Sequence, residues 1–320
     1  MKKKKILKFT IIAILLLLVI IIGFIIGSSY FQHISLVEQE KEKYPAPGTL
    51  VDVNDDGNKL HVYAKGEGKQ TLVFMSGLGT ASPVYDFKVL YNKLSKDHRI
   101  VVVERAGYGW SDISSSPRDI DTVFEETRKA LRLAGESPPY VLFPHSMAGL
   151  EALHWANLHP EEVKAIISLD AMVPGYIEQT EDKPSLSYTI TFLANSGLIR
   201  NGPDIFETNF VAMKKGHLTE EEAEIAKTIF FRRVHTKNMR EEVKMIRSNS
   251  HKVSELGKPD VPFYAFISAN NDEEWWKESI ISYVNAIDGE YSVLDGHHYI
   301  HLDYPELISE KSKKFIEEIK

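Results

Sequence analysis

The chain has 320 residues, of which 43% are hydrophobic and 26% charged, so it can bury one large core and carry an appendage. It contains no cysteine, which excludes disulfides, thiolate metal sites and a cysteine nucleophile. The net charge is −7, and five of the 38 basic residues are lysines within the first eight positions, which leaves 33 basic against 45 acidic residues. Such an acidic body argues against nucleic acid as a partner.

The N-terminus begins MKKKK and continues into an uncharged run from Phe9 to Ile26 built mostly of Ile, Leu and Val. Eighteen such residues span about 27 Å as a helix, close to the thickness of a bilayer's hydrocarbon core. Residues 1–29 are therefore predicted to be a single-pass transmembrane anchor. The lysines favour the cytoplasmic side of the cell membrane, so the rest of the chain is expected on the outer face. Cleavage near Gly27 and Ser29 as a signal peptide is the alternative, with a secreted body.

Residues 30–47 carry charges and prolines with little apolar periodicity and are predicted to be a stalk. The globular part, residues 48–320, opens with two extended segments, 50–53 and 59–66, joined across the turn signal NDDGN. The continuous apolar run TLVFM at 71–75 is typical of a strand covered on both faces.

Helical and strand patterns then alternate, and the second helix has Asp119 or Asp121 as its N-cap. This alternation predicts an α/β fold with a mostly parallel, doubly wound sheet and helices on both faces. The elements are predicted helices over 84–94 and 119–134 and predicted strands over 99–104, 140–143 and 164–170.

From about residue 174 to 256 the pattern is helical without clear strands, which predicts an insertion. Strands over 261–268 and 290–295 and a closing helix over 306–319 then resume the core. Several apolar side chains of the insertion either line a substrate pocket or pack the insertion onto the core. They are Phe192, Phe206, Phe210, Met213, Phe230 and Phe231.

The stretch YVLFPHSMAGLEALHWA, residues 140–156, combines a short strand, a tight turn with Ser146 at its tip, and a helix. Strand, sharp turn and helix form a nucleophile elbow, which lifts a serine hydroxyl clear of the backbone, close to a base and to amide donors. A serine that merely caps a buried helix is the alternative.

The segment PHSMAG resembles the GHSMGG-type elbow of the α/β-hydrolases, although Pro144 and Ala148 replace two glycines of that pattern. SGLGTAS resembles the family's oxyanion loop, with Ser76 where histidine is common, although a glycine-rich turn without a ligand gives the same pattern. RAGYGWSD resembles the DRxGxGxS segment, and GHHYIHLDYPE the terminal histidine motif. The resemblance covers residues 48–320 in the expected order and implies a hydrolase fold with a helical lid at about 174–256.

The resemblance implies Ser146 as nucleophile and the N–H groups of Leu78 and Met147 as the oxyanion hole. His298 is the implied general base, because Pro305 follows it by the seven residues of the family's motif. His297 is the nearer rival and His301 the other. A zinc site built from the cluster is a weaker alternative, because it lies on one loop without a second cluster; its members would be His297, His298, His301 and Asp303.

The third member of the triad has two candidates. Asp170 follows the sixth strand, where the haloalkane-dehalogenase-like branch puts its acid, and it is flanked by apolar residues, so its carboxylate needs a partner. Asp272 follows the strand that usually carries the acid, but it also stands where a helix N-cap would. Asp170 is preferred, with Asp272 as the alternative.

The resemblance therefore implies a serine hydrolase that cleaves an ester, thioester or amide through an acyl-enzyme, without a cofactor or metal. Serine at the elbow argues against dehalogenation. A small-molecule or lipid-like substrate is expected. The alternative is a ligand-binding or sensing protein on the same fold with slow turnover or none, motivated by the departures at Pro144 and Ser76.

Overall fold

The computed structural model describes residues 2–54, 57–179, 185–202, 204–271 and 275–319. The chain divides into two compact units. The first, here called the anchor unit, comprises residues 1–45 and 187–205, and the second, the core unit, comprises residues 46–186 and 206–320.

The core unit contains a sheet whose described strands lie in the order β1-β2-β4-β3-β5-β6-β7-β8. The strands β1 and β2 are antiparallel to their neighbours, and the six strands β3 to β8 run parallel to one another. The predicted mostly parallel sheet is confirmed. The strands are β1 (Thr49–Asp52), β2 (Lys59–Lys65), β3 (Thr71–Met75), β4 (Arg99–Glu104), β5 (Tyr140–Pro144), β6 (Val163–Leu169), β7 (Phe263–Ser268) and β8 (Glu290–Leu294).

Helices follow most of the strands. The predicted helix at 84–94 is divided at the buried residue Phe87, and Asp119 caps the next long helix by accepting from the N–H of Thr122. The helices are α1 (Lys2–Lys43), α2 (Pro83–Asp86), α3 (Lys88–Leu94), α4 (Ile120–Leu133), α5 (Ala148–Leu158), α6 (Pro174–Gln179), α7 (Tyr188–Asn195), α8 (Ile205–Asn209), α9 (Val211–Lys214), α10 (Glu220–Arg233), α11 (Lys237–Glu255), α12 (Trp276–Ala286), α13 (Ile300–Asp303) and α14 (Pro305–Glu318).

Both faces of the sheet are covered, since every residue of β5 and β7 is buried. Successive side chains of a strand point to opposite faces. On one face Val73 belongs to a cluster with Phe124 of α4 and Trp155 of α5. On the other, the ring of Phe74 contacts that of Phe87 at a tilt of 49°, with ring centroids 5.3 Å apart. A sheet sandwiched in this way holds the carboxyl ends of its parallel strands rigidly along one edge.

The described part of the insertion at 174–256 is helical and comprises α6 to α11. Its aromatic side chains in the core unit are buried and contact one another: Phe206 stacks on Phe210 at 5.2 Å, and Phe230 meets both Phe206 and Phe231 edge to face. These four side chains pack the insertion. Its role as a lid remains a prediction.

In the anchor unit, α1 is long and apolar enough to span a membrane, and no residue of its most apolar part is buried. The helix continues to Lys43, so most of the predicted stalk is helical. Arg200, just after α7, forms an ion pair with Glu40 at 2.7 Å. The segment around Arg200 thus packs on the C-terminal part of α1.

Candidate active site

The candidate side chains follow strands of the parallel part of the sheet. Leu78 comes after β3, Ser146 after β5, Asp170 after β6 and His298 after β8. Carboxyl ends of parallel strands meet at one edge of a sheet, which is where α/β folds bind ligands. The sheet order puts β5 between β3 and β6, so loops from both neighbours flank the serine.

Ser146 occupies the strained tip of the turn, with φ of +54° in the left-handed region that side chains rarely adopt. Its carbonyl accepts a 2.8 Å hydrogen bond from the N–H of Met172. A side chain on Gly149 would put its Cβ 2.2 Å from the carbonyl oxygen of Met172. The position where the elbow helix passes closest to the loop after β6 is therefore Gly149. The preceding position can carry the side chain of Ala148.

Asp170 and His298 are joined by a 2.7 Å contact between Oδ2 and Nδ1. The carboxylate is completely buried and accepts from the N–H of Ser268 at 2.8 Å and from its hydroxyl at 2.7 Å. The amide of Asn271 lies 3.4 Å from both partners. A buried carboxylate with this many hydrogen-bond donors is fixed in orientation.

Two aromatic neighbours orient His298. The ring of Trp276 meets it edge to face at 5.2 Å, and the ring of His145 lies 4.7 Å away. Burial lowers the pKa of His145 well below its ordinary value, so this imidazole is neutral. Its Nε2 then carries the proton and donates it to the carbonyl of His298 at 3.1 Å. His145, beside Ser146 in the chain, thereby ties the elbow to the histidine loop.

The loop after β3 passes directly over the serine. A Cβ on Gly77 would lie 2.7 Å from Cβ of Ser146 and 3.3 Å from its Oγ, so only glycine allows this approach. Among the described residues, the N–H groups of Leu78 and Met147 donate to no other group. Arg105 donates hydrogen bonds to the carbonyls of Ser76 at 2.7 Å and Gly77 at 3.3 Å, and it thereby fixes the conformation of this loop.

Comparison with known proteins gives the family. A model of the alpha/beta hydrolase fold matches residues 70–194. The uncharacterized protein YbdG of Bacillus subtilis (strain 168) is 37% identical over 305 residues, covering 92% of this chain and 93% of that protein. The chain belongs to the α/β-hydrolase fold family.

Solved α/β-hydrolase structures agree in fold. The epoxide hydrolase VrEH1 from Vigna radiata superposes with a TM-score of 0.63 at 19% identity, over 84% of this chain and 97% of that one. The enol-lactonase from Burkholderia xenovorans LB400 gives a TM-score of 0.59 at 17% identity, over 84% and 100% of the two chains. At these identities the likeness concerns the fold alone.

Behind the elbow of this α/β-hydrolase lies a buried charge cluster. Glu151 on α5 stands 3.6 Å from Arg105, which also contacts Glu242 of α11 at 3.2 Å. Burial raises the pKa of Glu151 to about 7, against the opposing charge of Arg105. The hydroxyl of Tyr108 donates to Glu242 at 2.6 Å. This cluster links the elbow helix, the RAGYGWSD loop and the insertion.

The remaining candidates have other partners. His297 Nδ1 contacts the carbonyl of Asn270 at 2.9 Å, and buried His301 pairs with Asp86 at 3.1 Å. Asp303 forms an ion pair with Lys215. In the described structure the cluster proposed for zinc therefore does not converge on one point. The alternative acid, residue 272, lies outside the described residues.

Sequence reasoning overlooked three groups of this site. Ser268, at the end of β7, supplies two donors to Asp170, and Asn271 contacts the same carboxylate. Arg105 supports the loop that carries Leu78. The family likeness of the RAGYGWSD segment was the one available signal for Arg105; nothing in the sequence pointed to Ser268.

Proposed function

We propose that this α/β-hydrolase is a serine hydrolase that cleaves an ester, thioester or amide through an acyl-enzyme. The observation that supports it best is the 2.7 Å contact between Asp170 and Nδ1 of His298, on the sheet edge that also carries Ser146. A carboxylate on Nδ1 leaves Nε2 unprotonated and able to act as base. The acid of the proposed triad is Asp170 rather than residue 272.

The reaction would proceed in two halves. Oγ of Ser146 attacks the substrate carbonyl while Nε2 of His298 takes its proton, and Asp170 stabilises the resulting imidazolium. The oxyanion accepts from the N–H groups of Leu78 and Met147. His298 then protonates the leaving alcohol, thiol or amine, and water, deprotonated by the same histidine, releases the acid. No cofactor or metal takes part in these steps.

The nucleophile also argues for acyl rather than epoxide substrates. Attack by a serine hydroxyl on an epoxide carbon would form an ether, which water does not cleave under these conditions, so the enzyme would stop after one turnover. Attack on an acyl group forms an ester, which the same histidine can hydrolyse. Between the activities named for the two structural neighbours, the lactonase type of chemistry fits Ser146 better.

We further propose that α1 anchors the enzyme in the cell membrane with the core unit on the outer face. The hydrophobic length of α1 and the lysines that precede it support this topology. Esters or amides that reach the outer face, small or lipid-like, are the proposed substrates.

The test is labelling of the full chain in detergent by a fluorophosphonate, with the adduct located by peptide mapping. We expect the adduct on Ser146, and its loss in Ser146→Ala and in His298→Ala. Ser312→Ala is the matched control, because Ser312 is buried in α14 and its hydroxyl has no partner in the described structure. Asp170→Asn should slow labelling by orders of magnitude, whereas Asp272→Asn should label at the wild-type rate.

A folded protein that fails to react would contradict the proposal and favour the ligand-binding alternative. Full labelling of Asp170→Asn together with loss in Asp272→Asn would keep the hydrolase and reassign its acid.

A further inference from the structure

The insertion contains an uncharged stretch that exposes large apolar side chains. Residues 185–199 include no Asp, Glu, Lys, Arg or His, in a chain that is 26% charged. Within it, α7 exposes Tyr188 (88% exposed), Ile190 (37%) and Phe192 (51%). Tyr188 and Phe192 are one helical turn apart and share a side of the helix. Tyr188 and Phe192 are called the α7 face, and Ile190, two residues from each, lies on the opposite side of the helix. Apolar groups concentrated in this way mark an interaction surface.

This stretch contacts α1, the helix proposed to span the membrane, at several points. Gly197, two residues after α7, has φ of +75°, and a Cβ there would lie 2.5 Å from Cβ of His33 and 2.9 Å from the carbonyl of Ser29. Arg200 donates to Nδ1 of His33 at 2.8 Å and to both carboxylate oxygens of Glu40 at 2.7 and 2.9 Å. The C-terminal end of α7 is therefore held against α1.

The residues of α1 that Gly197 and Arg200 contact begin shortly after the end of the apolar run. Ser29 and His33 follow Ile26 by three and seven residues, which is about 4.5 and 10.5 Å along a helix axis. The headgroup layer on each side of a bilayer begins at the end of the hydrocarbon core and is roughly 5–8 Å thick, so Ser29 falls within this layer and His33 just beyond its outer boundary. At the same height α1 itself exposes Tyr30 (45%) and Phe31 (73%). Aromatic residues are enriched at this depth of a membrane.

We propose that the α7 face lies in the interfacial layer of the bilayer that α1 spans, so that Tyr188 and Phe192 contact lipid headgroups and the upper acyl chains. The inference rests on the proposed anchoring by α1. The partner is a lipid surface, and because residues 185–199 carry no charge, its recognition requires no anionic headgroup. The helix α7 is then held at the membrane surface by its own apolar contacts as well as through α1.

The absence of cysteine makes a direct depth measurement possible, because each introduced cysteine is the sole labelling site. The full chain is reconstituted in phosphatidylcholine vesicles with a nitroxide on Phe192→Cys. Leu17→Cys in the apolar run serves as the hydrocarbon reference, and Leu133→Cys, half exposed at the end of α4, as the reference on the core unit. Collision rates with oxygen and with a water-soluble nickel chelate give the depth of each label.

We expect the Phe192 label to collide more with oxygen and less with the nickel chelate than the Leu133 label, at a depth between the headgroups and the Leu17 label. A Phe192 label as accessible to nickel as Leu133, with Leu17 still immersed, would overturn the inference and leave the anchor intact. An accessible Leu17 label would instead refute the anchor. Dipolar broadening at Phe192 that disappears on dilution with unlabelled chain would identify a second copy as the occupant and also overturn the inference.

Discussion

Glu151 should make the stability of the protein fall as pH rises. Its pKa is about 7 in the folded protein against an ordinary 4.5, because burial disfavours the carboxylate more than Arg105 favours it. Between these two values unfolding releases a proton, so the free energy of unfolding decreases with pH. Integrating from pH 5 to 8 gives a loss of about 2 to 3 kcal/mol from this group. Glu151→Gln cannot ionise and should remove that loss.

The assay is thermal unfolding of the full chain in detergent, followed by intrinsic fluorescence at pH 5 to 8. A change of 1 kcal/mol shifts the melting temperature by about 2–4 °C in a protein of this size. The melting temperature of Glu151→Gln minus that of the wild type should therefore increase by roughly 5–10 °C between pH 5 and pH 8. The difference between the proteins is the quantity to compare, because His145, neutral when folded, shifts stability in the opposite direction. Glu290→Gln, exposed on β8, is the control and should follow the wild type. Parallel pH profiles for Glu151→Gln and the wild type would refute the reasoning.

Three further substitutions test the elbow, the acid and a cap. Gly149→Ala should lower the fluorophosphonate labelling rate at least several-fold and reduce the melting temperature, because its Cβ would overlap the carbonyl of Met172; labelling at the wild-type rate would contradict this. Ser268→Ala removes a donor from buried Asp170 and should cost about 2 kcal/mol in unfolding free energy, whereas Ser312→Ala should cost less. Asp119→Ala should cost about 1 kcal/mol through loss of the N-cap of α4, and an unchanged melting temperature would exclude that role.

Local signals predicted the fold well. The apolar runs at 71–75 and 99–104 are strands with those bounds, and the choice between Asp119 and Asp121 as cap is decided by a hydrogen bond from Thr122 to Asp119. Such features depend on neighbours within a few residues, which periodicity and capping rules describe. The same rules failed at Phe87, where a buried aromatic interrupts a helix for reasons of packing on Phe74.

The site was less predictable, because its contacts cross the sheet. Ser268 contacts Asp170 only because β7 is the neighbour of β6 in the sheet. The order of strands in a sheet cannot be derived from local sequence patterns. The sequence identified His145 only as the residue that precedes Ser146. Its neutral state follows from its complete burial among other rings, which the sequence does not show. The sequence supplied the candidate residue types, and the fold supplied their partners.

The ion pair between Arg200 and Glu40 joins residues 160 positions apart, with β1 to β6 encoded between them. During synthesis α1 emerges first, yet the segment that covers its C-terminal part is made only after six strands have left the ribosome. Closing a loop of this length costs about 4.5 kcal/mol of chain entropy, a cost that folding of the intervening strands largely removes by bringing the loop ends closer. The anchor unit is therefore expected to be completed late, and chains truncated before Gly197 should expose His33 and Glu40 to proteases and quality control.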